Sequence, residues 1–358
     1  MPTPLLFQPI TFRSVTARNR IVVSPMCQYS AVDGLGDDWH IQNLGAKAAG
    51  GAGIVMAEAT HVSAIGRITP GCLGAYDPKH QPLLARLAAV IVQCGSVPGI
   101  QIAHAGRKAS SQVPWEGGKP IPPRDGGWVP VAPSAIPLVA GAVDPHPLTT
   151  HEIAGIAAQF AASTRMAREA GFKVLELHGA HGYLAHSFLS PISNQRNDAY
   201  GGDLTGRSRF LMETLDAIRS EWPADLPLWV RLSCSDYLPG GLTIDDVVQV
   251  AKRLAGRGDV DLIDCSSGGV SPEQKIPSLH PGYQVPFAEA IRHRAGIATG
   301  AVGMITEPTH AAEIVANGRA DVVLLARALL ADPGWPIRAA KTLGVKPDLP
   351  PQYLRAAL

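Results

Sequence analysis

A chain of 358 residues and 37.6 kDa in which 46% of residues are hydrophobic and only 17% charged falls well below the ~25% charged fraction of an ordinary globular domain; global disorder is excluded, and much of the chain must be interior or interface. Its 31 Lys and Arg balance 30 Asp and Glu to a net charge of +1, so there is no basic excess to neutralise a nucleic-acid backbone or an anionic membrane. Neither nucleic acid nor membrane is expected as a partner. The opening segment MPTPLLFQPITFRS lacks the basic head and long apolar core of a signal peptide. No later apolar run reaches the ~18 residues of a membrane span, and the expected compartment is the cytoplasm.

Short, partly β-branched apolar runs predict strands over 21–24, 53–59, 98–104, 174–178, 228–233, 262–265, 298–302 and 322–326. Helix-length stretches fall between and after them, over 40–49, 81–94, 151–170, 207–222, 244–257, 286–295, 307–317 and 335–343. Gly95, Gly171, Gly258, Gly296, Gly318 and Gly344 follow such stretches at C-cap spacing. Eight strand–helix units predict an α/β fold, a (β/α)8 TIM barrel in one domain spanning 1–358, with an excursion after the third strand. A doubly wound sheet is the runner-up, but neither a Gly-x-Gly-x-x-Gly turn nor a Walker A loop is present to support it. The excursion, 105–147, is rich in Pro and Gly and carries Trp115 and Trp128; at that position it would cap the face where barrel active sites lie.

The five cysteines, Cys27, Cys72, Cys94, Cys234 and Cys265, are odd in number and contain no Cys-x-x-Cys. Neither a disulfide framework nor a metal site is expected.

The C-terminal ends of the predicted strands are polar where a structural barrel would be apolar. Ser24, Pro25, Met26 and Cys27 follow the first, Ala59 and Thr60 end the second, Gln101 and His104 lie in the third, and His178 and His181 close the fourth. In WVRLSC the two-residue period puts Trp229, Arg231 and Ser233 on one face. A guanidinium there needs an anion beside it. That anion is either a ligand or an internal carboxylate, Glu58 or Glu176. The pair in HGAH can bind a metal, be satisfied structurally, or donate two hydrogen bonds to one oxygen; no third ligand of recognisable spacing supports the metal. Tyr183 is a packed aromatic or a proton donor beside that pair. Gly303, together with Ala326 and Arg327 where Arg327 opens the eighth helix, occupies the usual phosphate position after barrel strands seven and eight.

Together these motifs resemble the Old Yellow Enzyme family of FMN-dependent ene-reductases, in its bacterial thermophilic-like branch. SPMCQYSA at 24–31, EAT at 58–60, GRITPGCLG at 66–74, QIAHAGRKAS at 101–110, PWEGG at 114–118, APSAI at 132–136, ELHGAHGYL at 176–184, SNQRNDAYGG at 193–202 and SRFLMETL at 208–215 carry it, with AVGMIT and LARALLADPGWP later in the chain. Cys27 stands where classical members have threonine. The resemblance implies tightly but non-covalently bound FMN, with Ser24, Pro25, Met26, Cys27, Ala59, Gln101 and Arg231 around the isoalloxazine and Gly303, Ala326 and Arg327 at the phosphate. It implies His178 and His181 at the substrate oxygen, Tyr183 as proton donor and Tyr29 shaping the pocket. NADPH is the implied hydride donor and an activated alkene the second substrate. The tail, 345–358, resembles the ending by which an arginine, here Arg355, reaches a neighbouring subunit, which implies a homo-oligomer built from dimers.

Two other readings stay open on the residues alone. One is a flavin-free barrel lyase or aldolase, for which Lys108 and Lys173 are the nearest lysines to strand ends. The other is a non-catalytic flavin-binding barrel.

Overall fold

The computed structural model describes residues 2–356. The chain opens with an antiparallel hairpin, β1 (Ile10–Phe12) and β2 (Val15–Ala17), and enters the barrel with β3 (Ile21–Val23). α1 (Asp38–Ala49), β4 (Ile54–His61), α2 (Gln81–Gln93) and β5 (Val97–Ala103) follow. The segment after β5 contains the two-residue strands β6 (Val131–Ala132) and β7 (His146–Pro147), paired with each other. Next come α3 (Thr150–Glu169), β8 (Val174–Gly179), α4 (Leu184–Leu189), α5 (Leu204–Glu221), β9 (Leu228–Ser233), α6 (Ile244–Arg257) and β10 (Leu262–Ser266). The last units are α7 (Val285–Ala295), β11 (Ala298–Ala301), α8 (Pro308–Ala316), β12 (Val322–Leu325), α9 (Arg327–Ala331) and α10 (Trp335–Thr342).

β3, β4, β5, β8, β9, β10, β11 and β12 close into one parallel barrel in chain order. This is the predicted α/β barrel, and each of the eight expected strands is found within a few residues of its predicted ends. The helix starts shift outward to their caps: Thr149 with Glu152 and Thr243 with Asp246 form capping boxes, and Asp203 caps α5. The six C-cap glycines all have positive φ. Three elements were not anticipated. The hairpin β1–β2 closes the lower end of the barrel, with Phe12 against Trp229 edge-on at 5.3 Å. α4 is a short helix whose six residues are all buried, so no amphipathic period announces it. The eighth helix is divided: Arg327 opens only the five-residue α9, and a turn over 332–334 separates it from α10.

Two-residue alternation sorts the barrel interior into layers. At the bottom Val22, Ile54, Met56, Val174, Trp229, Leu262 and Val322 form an apolar cluster separate from the outer core packed under the helices. One step up lie Gln101, Glu176, Arg231 and Asp264, and at the mouth His178, Ser233 and Ser266. Register fixes these neighbours: Gln101 pairs Glu176, His178 pairs Arg231, Arg231 pairs Asp264, and Ser233 pairs Ser266.

Among the described residues no helix is long and apolar enough to cross a membrane, and no cluster of His, Cys, Asp and Glu is placed to hold a metal ion. The five cysteines are free. The tail forms a 3-10 turn over Pro351–Ala356 with Tyr353, Leu354 and Arg355 exposed; the final two residues of the expected interface segment 345–358 lie outside the described residues.

Candidate active site

A cavity of about 370 Å³ opens at the C-terminal mouth of the barrel between β9, β10, β11 and β12, within the ~300–1,000 Å³ range of small-molecule sites. Arg231, Gly303, Ala326 and Arg327, four of the residues expected to hold a cofactor, line it, together with Tyr283 at the end of the 267–283 loop and with Ser266 and Gln284, which were not foreseen. A larger hollow of about 540 Å³ is walled entirely by the segment 119–143 and touches no strand end, and a cleft of about 90 Å³ near Phe7 and Arg18 is too small for a ligand of that class.

The end of this cavity where a phosphate was expected is largely backbone. Gly303 has φ +116° and Met304 φ +55°, and a Cβ at Gly303 would press on Gln284 Cβ at 3.1 Å. α9 begins at Ala326 without any side-chain cap, so its first N–H groups are left for a ligand. Arg327 supplies a cation at the same place. The other end is Arg231, 7% exposed. Its Nε lies 2.9 Å from Asp264 Oδ2, an ion pair without an aligned hydrogen bond.

That pairing corrects the internal partner expected for Arg231, which was Glu58 or Glu176. Glu58 is the extra residue of a β-bulge: Ala57 pairs Ile100 and Ala59 pairs Gln101. The bulge turns Ala59 toward the interior and sends the Glu58 carboxylate out of the barrel, where it accepts from Gln28 N at 3.0 Å and lies 3.7 Å from His40 Nε2. Glu176 does face inward, but its Oε1 accepts from Gln101 Nε2 at 2.7 Å. The alternation Leu262, Asp264, Ser266 in DLIDCSS was the overlooked signal.

His178, His181 and Tyr183 come together as one cluster. The imidazole of His181 meets that of His178 with Nδ1 3.3 Å from Nε2, and its own Nε2 lies 2.6 Å from Ser266 Oγ at the cavity wall. His178 Nδ1 accepts from Ala180 N, so its proton sits on Nε2; the same logic passed along the pair puts the His181 proton on Nε2, donated to Ser266. Burial, and then the Arg231 charge, hold both rings well below the ordinary histidine range, so both are neutral donors at pH 7. The Tyr183 ring lies edge-on to His178 at 4.8 Å. Burial pushes its phenol well above 10, which keeps it protonated.

The turn carrying this cluster is held from several sides. Gly182 N donates to His186 Nδ1 at 2.7 Å, and His186 Nε2 lies 2.9 Å from the buried Asp236. Lys108 Nζ donates to His181 O and Gly269 O at 2.9 and 3.0 Å and lies 5.3 Å from the Tyr183 ring centre. Burial lowers Lys108 to about 8, the one property in favour of a Schiff-base lysine. Its two carbonyl partners occupy the amine, and it serves as a tie between the 181–183 turn and the 267–283 loop. Lys173 lies at the other end of β8. Neither supports the aldolase reading.

Ser24, Pro25, Met26 and Cys27 leave the end of β3, with Ser24 N donating to Leu325 O. They do not line the cavity wall described above; they flank it on the β3–β4 side. Cys27, Tyr29 and Tyr183 pack on Ile68, Cys72, Ala105 and Ala109, and Tyr29 meets Trp115 of the 105–147 segment edge-on at 5.7 Å. The Cys27 thiol packs against Cys72, a residue the sequence reading did not single out. The neighbouring Cys72 thiol, then burial, pushes Cys27 well up; burial opposes ionisation of Cys72, but Cys27 and the Thr69 hydrogen bonds outweigh it and bring Cys72 to about 7. Arg355 is exposed at the tail and contributes nothing to this cavity within one chain.

A family model described as NADH:flavin oxidoreductase / NADH oxidase matches residues 5–345. An NADPH dehydrogenase of Geobacillus sp. (strain WCH70) is 49% identical over 353 residues, 98% of each chain. A structure of morphinone reductase in complex with tetrahydroNAD aligns with TM-score 0.76 and 25% identity over 98% of this chain and 94% of the other. A 2-naphthoyl-CoA reductase in complex with 2-naphthoyl-CoA aligns with TM-score 0.85 and 28% identity, covering 94% of this chain and 52% of that longer one.

Proposed function

Since the chain belongs to the NADH:flavin oxidoreductase / NADH oxidase family, the Old Yellow Enzyme family foreseen from its motifs, we propose that the barrel mouth is the site of an FMN-dependent NADPH oxidoreductase that reduces the C=C bond of α,β-unsaturated carbonyl or nitro compounds. The cofactor and the NADPH dehydrogenase activity follow from the family and its full-length relatives; the alkene and the residue roles are our reading. FMN, when bound, supplies reversible two-electron chemistry, taking hydride from NADPH and giving it to a second substrate.

The residues fit that cofactor at both ends. Gly303, Ala326 and Arg327 would hold its phosphate on backbone N–H groups and one guanidinium. Arg231, whose ion pair with Asp264 leaves the rest of its guanidinium free to face the cavity, would stand against the edge where negative charge gathers on reduction. Ser24, Pro25, Met26, Cys27, Ala59 and Gln101 would border the ring from the β3, β4 and β5 ends.

The observation that carries the alkene reading is the neutral histidine pair beside the cavity, joined to its wall through Ser266. Two Nε2–H donors can turn from each other and from Ser266 to one substrate oxygen, and the β-carbon of an enone or nitroalkene becomes more electrophilic as that oxygen gains charge. Tyr183, protonated and beside the pair, gives its proton to the α-carbon. Tyr29 and Trp115 shape the outer wall. The exposed Tyr353, Leu354 and Arg355 would find cover in a homo-oligomer built from dimers, Arg355 entering a neighbour's pocket. Five free thiols suit the reducing cytoplasm.

The test is the double substitution His178→Ala with His181→Ala. FMN stays bound and is still reduced by NADPH, while reoxidation by an enone and binding of a phenolate inhibitor collapse. Unchanged reoxidation kinetics would remove the pair from the mechanism.

A further inference from the structure

Beneath the chemistry lie two fully buried carboxyl groups, Glu176 and Asp264, that the reaction as described leaves unused. Glu176 of β8, Arg231 of β9 and Asp264 of β10 face inward at neighbouring register positions, with Gln101 of β5 beside Glu176. Glu176 and Asp264 have no exposed surface. Below them the barrel is apolar, closed by Val174, Trp229 and Leu262. Above them His178 and His181 are neutral.

Two carboxyl groups without exposed surface therefore lie in the field of one guanidinium, Asp264 in direct ion-pair contact with it and Glu176 farther off. Ionising both would leave a net negative charge in the barrel interior, which is far costlier than keeping one proton. Contact decides which acid keeps it. Asp264 Oδ2 lies 2.9 Å from Arg231 Nε, an ion pair although neither Asp264 oxygen has an aligned hydrogen bond, and that contact favours the charge there. Glu176 has only an amide donor, Gln101 Nε2 on Oε1, and its Oε2 has no partner. Burial, and then repulsion from Asp264, push Glu176 up to about 8, with Arg231 and Gln101 opposing. Burial pushes Asp264 upward as well, but the direct ion pair opposes that shift and favours the proton on Glu176.

We propose that Glu176 is a redox-linked protonation site: it remains a neutral acid below the flavin and holds its proton more tightly when reduction adds negative charge on the cavity side of Arg231. In neutral solution Glu176 is protonated in both redox states and takes up nothing. In alkaline solution it is ionised beneath the oxidised flavin. Hydride transfer then adds two electrons and one proton to the flavin, and the carboxylate takes one further proton from water, so that the added negative charge is balanced. Over that interval the midpoint potential falls with pH by one extra proton per two electrons. The inference rests on the placement of FMN against Arg231.

The experiment is spectroelectrochemical titration of the holoenzyme and of Glu176→Gln from pH 6 to 10. The variant, neutral at every pH, is expected to match wild type near pH 7 and to lie at higher potential above about pH 8, where wild type shows the extra slope. Parallel curves throughout would overturn the proposal. Should the variant not fold, infrared spectra of wild type carrying ¹³C-carboxyl glutamate decide the matter: a labelled protonated-carboxyl band at neutral pH that fades in alkali supports it, and its absence refutes it. Failure of the flavin placement shows separately, as an unaltered flavin spectrum and affinity in Arg231→Met.

Discussion

Gly182 joins His181 to Tyr183 and has φ +74°, and its substitution by alanine should damage one half-reaction while sparing the other. The left-handed conformation alone costs an alanine about 1–2 kcal/mol. The larger effect is steric: a Cβ there would lie 2.2 Å from Gly269 O and 2.9 Å from Gly269 C and Val270 Cα. These are backbone atoms, tied in turn through Lys108 to His181 O, so neither side yields freely. The turn must move by about 1 Å, and a displacement of that size at reacting groups costs roughly 10²-fold in rate. The phosphate and Arg231 sides of the cavity come from other strands and stay in place. In anaerobic stopped-flow mixing, Gly182→Ala should therefore bind FMN and be reduced by NADPH much as wild type, yet be reoxidised by an enone about 10²-fold more slowly. Reoxidation within about twofold of wild type would refute the claim that this turn positions the donors.

Cys27→Ala should retain FMN and activity but shift the flavin midpoint potential, and Cys72→Ser should move it in part through the altered Cys27–Cys72 contact; an inactive Cys27→Ala at native potential would point to direct chemistry instead. Deleting the residues after Gln352 should raise KM without releasing FMN, checked by steady-state kinetics and sedimentation; a monomeric full-length protein, or a truncated form equal to wild type with both substrates, defeats the shared-pocket reading. Acid should destabilise the fold through its buried histidines. Burial lowers His61 to about 4 and His104 to about 3, below their unfolded value, so their stabilisation is present above pH ~6.5 and is lost as pH falls toward the folded values, each by about 1.4 kcal/mol per pH unit. Glu176, raised to about 8, acts in the opposite sense between pH 8 and 4.5, so the measurement is differential. The stability gap between wild type and His104→Gln, from urea unfolding, should change by about 2 kcal/mol from pH 7 to 5, and a pH-independent gap would contradict this.

The barrel was legible because eight short apolar runs alternate with capped helical stretches, and because WVRLSC and ELHGAHGYL place polar residues on the inward two-residue period. What escaped the sequence depends on irregularity or on contacts between distant segments. The bulge at Glu58 leaves no mark in EAT, yet it decides that Arg231 meets Asp264 rather than Glu58. Ser266 and Gln284 enter the cavity wall from segments with no motif of their own. The contact of Cys27 with Cys72 joins residues far apart in the chain. α4 is buried on every side, and a helix with no polar face has no periodicity to read.

The central claim is that the barrel mouth passes electrons from NADPH to an activated alkene through bound FMN. The most direct measurement is an anaerobic absorbance titration of the purified protein, first with NADPH and then with a cyclic enone. The account predicts flavin absorbance that bleaches with one equivalent of NADPH and returns with one equivalent of enone, the product being the saturated ketone. A colourless protein, or a flavin that bleaches and stays bleached with enone and nitroalkene alike, would contradict it.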